Sequence, residues 1–191
     1  MLPKLLAAGV LGCPNLPATP LTDAGGGPGG GAGVPGMLFW ATAGGGARAA
    51  PLAPVDALAG ASPITARSGD PARRRFMESY EARHSDFSLA ARLASAVGVT
   101  APALRLDSQA KYGALARGDA AVNLRFPKAG YREKIWDHAA GAIIAAEAGA
   151  VVTDAAGAPL DFSRGRWLDL DRGIVSASSP ELHAALLAAL A

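Results

Sequence analysis

A chain of 191 residues, half of them hydrophobic, is long enough to bury one core of ordinary domain size. Its formal net charge of +2 is too small to indicate binding to nucleic acid or to a membrane surface by charge attraction. One cysteine, Cys13, excludes an internal disulfide, and the longest apolar stretch, residues 139–152, is too short to cross a bilayer.

The amino-terminal part predicts a hairpin with an expanded loop. Residues 5–11 form a buried strand closed by Gly12, and residues 37–43 form the returning strand. The first strand begins abruptly, which suggests further sequence upstream. Between the strands, residues 23–36 are rich in glycine and predict a flexible loop. Residues 47–70, rich in alanine and proline, predict a connection between domains.

From Arg74 onward, predicted strands alternate with predicted helices. The strands are residues 75–80, 104–106, 120–126, 151–153 and 173–177, and the helices are residues 85–97, 108–117, 134–148 and 180–190. The helix at 134–148 is hydrophobic nearly all round, so we expect it to be central. This alternation predicts a layered α/β fold. We divide the chain into residues 1–57, a connection at 58–73, and an α/β domain at 74–191.

Asp137 is a candidate metal ligand. It lies in the first turn of a predicted helix that otherwise contains mostly alanine, isoleucine and glycine, where the helix dipole favours a carboxylate. Mg²⁺ uses one or two carboxylates together with substrate phosphate and water. The small residues Ala139, Ala140 and Gly141 would allow a ligand or another backbone to approach. The alternative is a capping aspartate in front of a core helix.

Ser108, Lys111 and Arg125 are candidate anion-binding residues. Ser108 at a helix start could offer its hydroxyl and nearby backbone N–H groups to an anion, and Lys111 on the same helix face would supply the countercharge. Arg125 lies on a strand and faces away from Leu124 and Phe126. The alternatives are an N-cap serine, a surface lysine and a solvated arginine.

Other polar residues allow weaker predictions. His84 follows a predicted strand and is either a surface histidine or one that contacts a ligand; composition does not decide between them. The run Arg73-Arg74-Arg75 predicts a solvated basic patch. Four aspartates without metal-ligand spacing predict turn and cap residues: Asp154, Asp161, Asp169 and Asp171.

Several segments together resemble a known family. The segment Trp136-Asp137-x-Ala139-Ala140-Gly141, followed by Glu147-Ala148-Gly149, resembles the second signature of the inositol monophosphatase superfamily. Within this superfamily, the sequence resembles the 3'(2'),5'-bisphosphate nucleotidases at residues 12–17, 107–112, 131–138 and 159–162. The resemblance covers almost the whole chain except the glycine-rich loop and the connection. It implies the carboxyl-terminal half of that family's α/β fold, with the hairpin as a remnant of the amino-terminal domain.

The resemblance also implies an activity and its residues. These enzymes use Mg²⁺ to remove the 3'-phosphate from adenosine 3',5'-bisphosphate. Asp137 matches a metal ligand, and the nucleotide- and phosphate-contacting positions are matched by His84, Ser108, Lys111 and Arg125. The family's Glu-Glu-Asp and Asp-Pro-Ile-Asp-Gly-Thr segments, which supply most metal ligands and the water-activating pair, do not occur, so no catalytic residue is assigned. We therefore expect a portion of a longer enzyme that does not turn over substrate alone.

Two departures and two alternatives accompany this expectation. Ser85-Asp86-Phe87 follows His84 where the family often has a second histidine, and Ala150 stands where glycine is usual. One alternative is a fragment that binds nucleotide or phosphate, or pairs with a partner chain, without catalysis. The other is an inositol polyphosphate phosphatase, against which residues 107–112 argue. We expect a small-molecule partner rather than a nucleic-acid polymer or a membrane. The sequence leaves the oligomeric state open, and the compartment open between cytoplasm, plastid and mitochondrion.

Overall fold

The computed structural model describes residues 6–21, 36–53, 59–68, 70–80, 87–128, 130–170 and 172–191. The strands in these residues are Ala8–Cys13 (β1), Met37–Thr42 (β2), Gly46–Pro51 (β3), Ser62–Pro63 (β4), Phe76–Glu78 (β5), Leu104–Arg105 (β6), Val122–Arg125 (β7), Glu133–Lys134 (β8), Val151–Asp154 (β9), Trp167–Leu168 (β10) and Ile174–Ala177 (β11). The α-helices are Phe87–Ala96 (α1), Ala110–Ala116 (α2), Ala139–Glu147 (α3) and Pro180–Leu190 (α4), and 3₁₀ turns lie at Pro71–Arg73 and Ile135–Asp137. No helix of this part of the chain is long and apolar enough to span a membrane.

Strands β1 to β4 form an antiparallel sheet in sequence order. The predicted hairpin of β1 and β2 is confirmed, but β1 continues through Gly12 to Cys13 because both residues pair with β2. Alternate residues of β1 are buried, as the two-residue period of a strand requires. The opposite face is open, and Val10 there is 64% exposed. Nearly all of the glycine-rich loop lies outside the described residues.

The predicted connection at residues 47–70 is wrong in part, because β3 and β4 lie within it. In β3, Ala47 and Ala49 are buried while Arg48 is exposed, so the segment alternates like any half-buried strand. Alanine is a weak strand former and gives a poor local signal, which is why the pairing with β2 was not predicted. The division of the chain at residues 57 and 73 stays a prediction.

The second sheet has five strands in the order β6-β5-β7-β11-β9, parallel at β6-β5-β7 and antiparallel at β7-β11-β9. Helix α3 contacts β1, β2, β3 and β9, and α2 contacts β1 and β7, so these two helices lie between the sheets. Helices α1 and α4 cover the other face of the five-stranded sheet through β5 and β11. The predicted layered α/β arrangement is therefore confirmed.

The central helix is shorter than predicted. Residues 133 and 134 form β8, which pairs with β10 in a two-stranded ribbon, and a 3₁₀ turn separates this ribbon from α3. Residues 141–145 of α3 are fully buried, as expected for a helix that is hydrophobic nearly all round. At its end, the carboxylate of Glu147 accepts the amides of Gly44 at 2.7 Å and Gly46 at 2.9 Å, so α3 is joined to the turn between β2 and β3.

Helix α4 agrees with its predicted bounds, 180–190. Ser179 is its N-cap and accepts the amide of Leu182 at 3.2 Å, and Pro180 occupies the first turn. In α1, the apolar residues Ala90 and Leu93 face the core, and Gly98 follows the helix with a φ of +67°. The prediction for α4 is thus confirmed, and that for α1 is confirmed at its end within one residue, while its predicted start at residue 85 lies outside the described residues.

Candidate functional site

One cavity of about 940 Å³ lies beside α2 and β7. Its lining includes the end of β1 and the turn after it, residues 79–80, the loop from β6 into α2, residues 123–125 of β7, and residues 131, 133, 137 and 138. Four of the five candidate residues line it, namely Ser108, Lys111, Arg125 and Asp137. The fifth, His84, lies outside the described residues. Segments far apart in sequence therefore contribute the candidate residues to one cavity.

Ser108 does not occupy the predicted N-cap position. The N-cap of α2 is Gln109, and Ser108 precedes it in the left-handed conformation, with a φ of +63°. The amides of Lys111 and Tyr112 donate to the carbonyls of Ser108 and Gln109, so they are not free for an anion. The Ser108 hydroxyl accepts the amide of Ala110 at 3.3 Å, and its side chain is exposed at the cavity.

Lys111 is not a surface lysine. Its relative exposure is 8%, and its Nζ donates to the Oγ of Ser79 at 2.7 Å. Burial lowers the pKa of Lys111 to about 8, against an opposing effect of the Asp107 charge. The ammonium is therefore held at the cavity wall with little water around it, which strengthens its attraction for an anion.

Arg125 begins a chain of buried hydrogen bonds. Its Nε donates to Oε1 of Glu133 at 2.7 Å, and Oε2 of Glu133 lies 3.1 Å from Nε2 of His138. Nδ1 of His138 lies 2.9 Å from the hydroxyl of Tyr112. Burial alone would raise the pKa of Glu133, but the hydrogen bonds from His138 and Arg125 outweigh it and hold the pKa below its usual value.

The ionised Glu133 can only accept, which assigns the protons of this chain. Nε2 of His138 therefore donates to it, and in a neutral imidazole the Nδ1 atom then accepts the hydroxyl proton of Tyr112. Burial, and after it the Glu133 charge, raises the pKa of Tyr112 well above its usual value, so the tyrosine keeps that proton. This chain of hydrogen bonds fixes the Arg125 side chain through its Nε atom.

Asp137 ends the 3₁₀ turn before α3 and is half-buried at the cavity. The prediction that it lies in the first turn of the α-helix is wrong, because the N-cap of α3 is His138. The turn is held by Gln109, whose Nε2 donates to the Trp136 carbonyl at 2.8 Å while its Oε1 accepts the Gly141 amide at 3.3 Å.

The chemistry of Asp137 suits a hard divalent cation, since a carboxylate oxygen at a cavity wall is a ligand that Mg²⁺ uses. Among the described residues there is no group of three or more His, Cys, Asp or Glu side chains that could hold a metal ion. Asp137 thus fits the role of one metal ligand, and the residues described here do not form a complete metal site.

The remaining polar predictions have mixed outcomes. Asp154 accepts the amides of Ala156 and Ala158, and Asp161 accepts that of Ser163, so both are turn residues as predicted. Asp169 instead forms ion pairs with Arg132 and Arg164. Asp171 lies outside the described residues.

Arg75 contradicts the predicted solvated basic patch. It is 2% exposed, and its guanidinium donates to the carbonyls of Asp119 and Leu21. Its neighbours Arg73 and Arg74 lie nearer the surface, where Arg73 pairs with Asp70 and Arg74 bonds the Val97 carbonyl.

Sequence reasoning missed several residues of the cavity. Glu133 and His138 belong to a segment quoted for its resemblance, but nothing local indicated their burial. Asn123 precedes Arg125 by two positions on β7, so both lie on one face of the strand, and this spacing could have indicated it. Asn123 is 3% exposed and lines the cavity, and within the described residues its Oδ1 has no hydrogen-bond partner.

Comparison with known proteins agrees with this fold. The model of the inositol monophosphatase family matches residues 4–191. The chain therefore belongs to the inositol monophosphatase family, as its signature segments suggested.

Two relatives within the family are similar in sequence to this chain. The chain is 52% identical to the 3'(2'),5'-bisphosphate nucleotidase of Oryza sativa over 143 residues, 73% of this chain and 38% of that protein. It is 48% identical to 3'(2'),5'-bisphosphate nucleotidase 1 of Arabidopsis thaliana over 141 residues, 73% of this chain and 39% of that protein. The chain thus spans about two fifths of the length of these relatives.

A solved structure supports the fold alone. CysQ from Bacteroides thetaiotaomicron, a bacterial member of the inositol monophosphatase family, matches 74% of this chain and 54% of its own chain. The TM-score is 0.56 at 23% sequence identity. The predicted family fold is confirmed by this match and by the family assignment.

Proposed function

We propose that this chain forms the phosphate- and nucleotide-binding part of a phosphatase that removes the 3'-phosphate from adenosine 3',5'-bisphosphate. The observation that supports this most directly is that Lys111 and Arg125 line the same cavity, together with Asp137. Each cation is fixed by a buried partner, Ser79 for Lys111 and Glu133 for Arg125. Two positioned cations suit a phosphate, and a carboxylate beside them suits one ligand position of a Mg²⁺ ion bound with it.

The two cations suit different parts of a phosphate. Lys111 offers a compact ammonium with donors that rotate, whereas the planar guanidinium of Arg125 can donate two parallel hydrogen bonds to two oxygens of one phosphate. Because the Nε of Arg125 is taken by Glu133, the terminal nitrogens remain for the ligand. Lys111 and Arg125 would thus bind and orient the phosphate before the reaction.

The choice of a nucleotide rests on size and on the relatives. A cavity of about 940 Å³ is within the range that accommodates a nucleotide-sized ligand. The similar proteins of Oryza sativa and Arabidopsis thaliana are named 3'(2'),5'-bisphosphate nucleotidases. In this proposal Ser108 and His84 contact the nucleotide, and Asp137 is a ligand of Mg²⁺. The ion, when bound, supplies an activated water and neutralises charge on the phosphate.

Isothermal titration with adenosine 3',5'-bisphosphate and Mg²⁺ tests the binding role. We expect Lys111→Met to weaken binding by about tenfold or more, because a charged hydrogen bond to phosphate is lost. Lys128→Met removes the same charge from an exposed position and is the matched control. Equal affinities for the two variants would contradict the proposal. Tighter binding of an inositol polyphosphate than of the nucleotide would favour the inositol polyphosphate alternative.

Phosphate release separates catalysis from binding alone. The family resemblance leads us to expect binding with little turnover from these 191 residues, and turnover from a chain extended to the length of the relatives. Binding without turnover in both forms would support the alternative of a non-catalytic nucleotide-binding protein. Turnover by the 191 residues would mean that they form a complete metal site.

A further inference from the structure

We infer that Glu133 is a positioning residue, which aims the guanidinium of Arg125 into the cavity. This rests on the proposed function in one respect, the anionic phosphate that Arg125 would bind. Glu133 is among the residues around the cavity, but its side chain is 1% exposed whereas that of Arg125 is 27% exposed, so Arg125 is the group that would contact the substrate. In this ion pair the carboxylate is therefore buried and the guanidinium is partly exposed.

The carboxylate of Glu133 is fixed on both oxygens. Oε1 accepts Nε of Arg125 at 2.7 Å, and Oε2 accepts Nε2 of His138 at 3.1 Å. His138 is fixed in turn by the hydroxyl of Tyr112 at 2.9 Å. Within the described residues Arg125 makes no other hydrogen bond, and its guanidinium also lies 5.9 Å from the ring of Tyr131. Glu133 is therefore its hydrogen-bonded anchor, while the two terminal nitrogens stay available.

The backbone of Glu133 is supported from outside. It lies in the ribbon of β8 and β10, which has two paired positions and would be marginal alone. On the outer side, Arg166 lies 4.8 Å from the ring of Trp167 and 5.4 Å from that of Trp136, and Arg132 lies 5.1 Å from the ring of Trp167. This stack of arginine and tryptophan side chains stabilises the ribbon through cation–π contacts.

Positioning and simple electrostatics predict opposite effects when Glu133 loses its charge. A carboxylate near a phosphate site weakens the attraction for the anion, so its removal should tighten binding if charge alone mattered. If Glu133 orients Arg125, its removal should weaken binding even though the local charge becomes more positive. The sign of the change therefore separates the two roles.

The test compares Glu133→Gln with Asp169→Asn, an exposed carboxylate that pairs with Arg132 and undergoes the same change of charge. We expect the Kd for adenosine 3',5'-bisphosphate to rise about fivefold or more in Glu133→Gln, and to stay level or fall in Asp169→Asn. Glu133→Asp keeps the charge but withdraws the carboxylate by one methylene, and should also raise the Kd. Unchanged or tighter binding in both Glu133 variants would overturn the inference.

A second readout does not depend on the nucleotide. In the ligand-free protein, ¹⁵N NMR should show the Nε–H of Arg125, assigned with Arg125→Lys, protected from exchange with water, and Glu133→Gln should lose that protection. If wild type fails to bind the nucleotide, the proposed function fails while this measurement still tests the positioning. Equal exchange rates in wild type and Glu133→Gln would overturn it. In a double-mutant cycle, Glu133→Gln should add little to the loss of affinity caused by Arg125→Lys.

Discussion

The aromatic ring of Tyr112 packs so closely against Gly141 that a Cβ added at position 141 would overlap the ring. This contact joins α2 to α3 close to the cavity, which is lined by Tyr112 and by His138. It also brings the Tyr112 hydroxyl to His138, which lies at the N-cap of α3. The small residue of the signature segment therefore allows an aromatic side chain to approach, and thereby helps form the hydrogen-bond chain to Arg125.

Gly141→Ala should destabilise the fold although alanine favours helices. The propensity gain of about 1 kcal/mol is outweighed by overpacking, which costs about 1–3 kcal/mol; the ring that must move is buried between two helices. We expect a net loss of unfolding free energy in urea denaturation. Gly60→Ala is the control, since an added Cβ there meets no atom within 4 Å. A stability equal to or above wild type in Gly141→Ala would contradict the close packing.

The three consecutive arginines should differ sharply in their effect on stability. Arg75→Met leaves the buried carbonyls of Asp119 and Leu21 without this donor, and we expect a loss of about 2 kcal/mol or more. Arg73→Met, nearer the surface, should change the unfolding free energy by less than about 0.5 kcal/mol. Similar values for the two variants in chemical denaturation would argue for the solvated patch that the sequence suggested.

Ligand affinity should fall as the pH rises past the pKa of Lys111. Because burial lowers that pKa to about 8, the side chain is mostly charged at pH 7 and mostly neutral at pH 9. A phosphate monoester stays doubly charged over this range, so we expect the affinity to drop roughly tenfold, and much less in Lys111→Met. Titration calorimetry across this range at constant ionic strength measures it.

The same shift predicts a rise in stability with pH. The unfolded chain has Lys111 protonated up to about 10.5, whereas the folded chain loses that proton near 8. Between these values the unfolded state binds more protons, so the unfolding free energy should increase with pH. The difference between wild type and Lys111→Met isolates this contribution. A constant difference from pH 7 to 11 would mean that Lys111 titrates normally in the fold.

Asn123 should matter more for binding than for folding. Its Oδ1 is buried without a partner among the described residues, so Asn123→Leu, which has the same branched shape and number of side-chain heavy atoms, should leave the unfolding free energy within about 1 kcal/mol of wild type or raise it. Because the amide lines the cavity, we expect nucleotide affinity to fall several-fold, as for about one lost hydrogen bond. The opposite pattern, lower stability with unchanged affinity, would assign the amide a structural role.

The parts of the fold that could be predicted are those with local signals. Helix α4 begins after a capping serine and a proline, and both signals lie within a few residues of the helix. The ribbon before α3 has no such signal, because β8 becomes a strand by pairing with residues more than thirty positions away. Two apolar runs on either side of the glycine-rich loop predicted the hairpin of β1 and β2, but no such run indicates β3, where the buried residues are alanines.

The candidate site likewise has some features with a local sequence signal and others without one. Residue types and spacing made Lys111, Arg125 and Asp137 candidates, the family resemblance selected them, and all three line the cavity. The partner of Lys111, Ser79, is 32 residues away, and His138, which supports the Glu133–Arg125 pair, is bonded to Tyr112 at a distance of 26 residues in sequence. Burial of these groups, and hence the pKa of Lys111 and the role of Glu133, depends on how the sheets and helices pack, which no local pattern records.

The bond between Glu147 and the turn at Gly44 joins residues 103 apart in sequence. During synthesis, the hairpin of β1 and β2 leaves the ribosome long before α3, against which it packs, exists. Until then no helix covers the apolar face of the hairpin. Contacts between residues so far apart in sequence form slowly. The nascent chain therefore passes through a period in which the hairpin is a target for chaperones, and a substitution that weakens α3 would prolong that period.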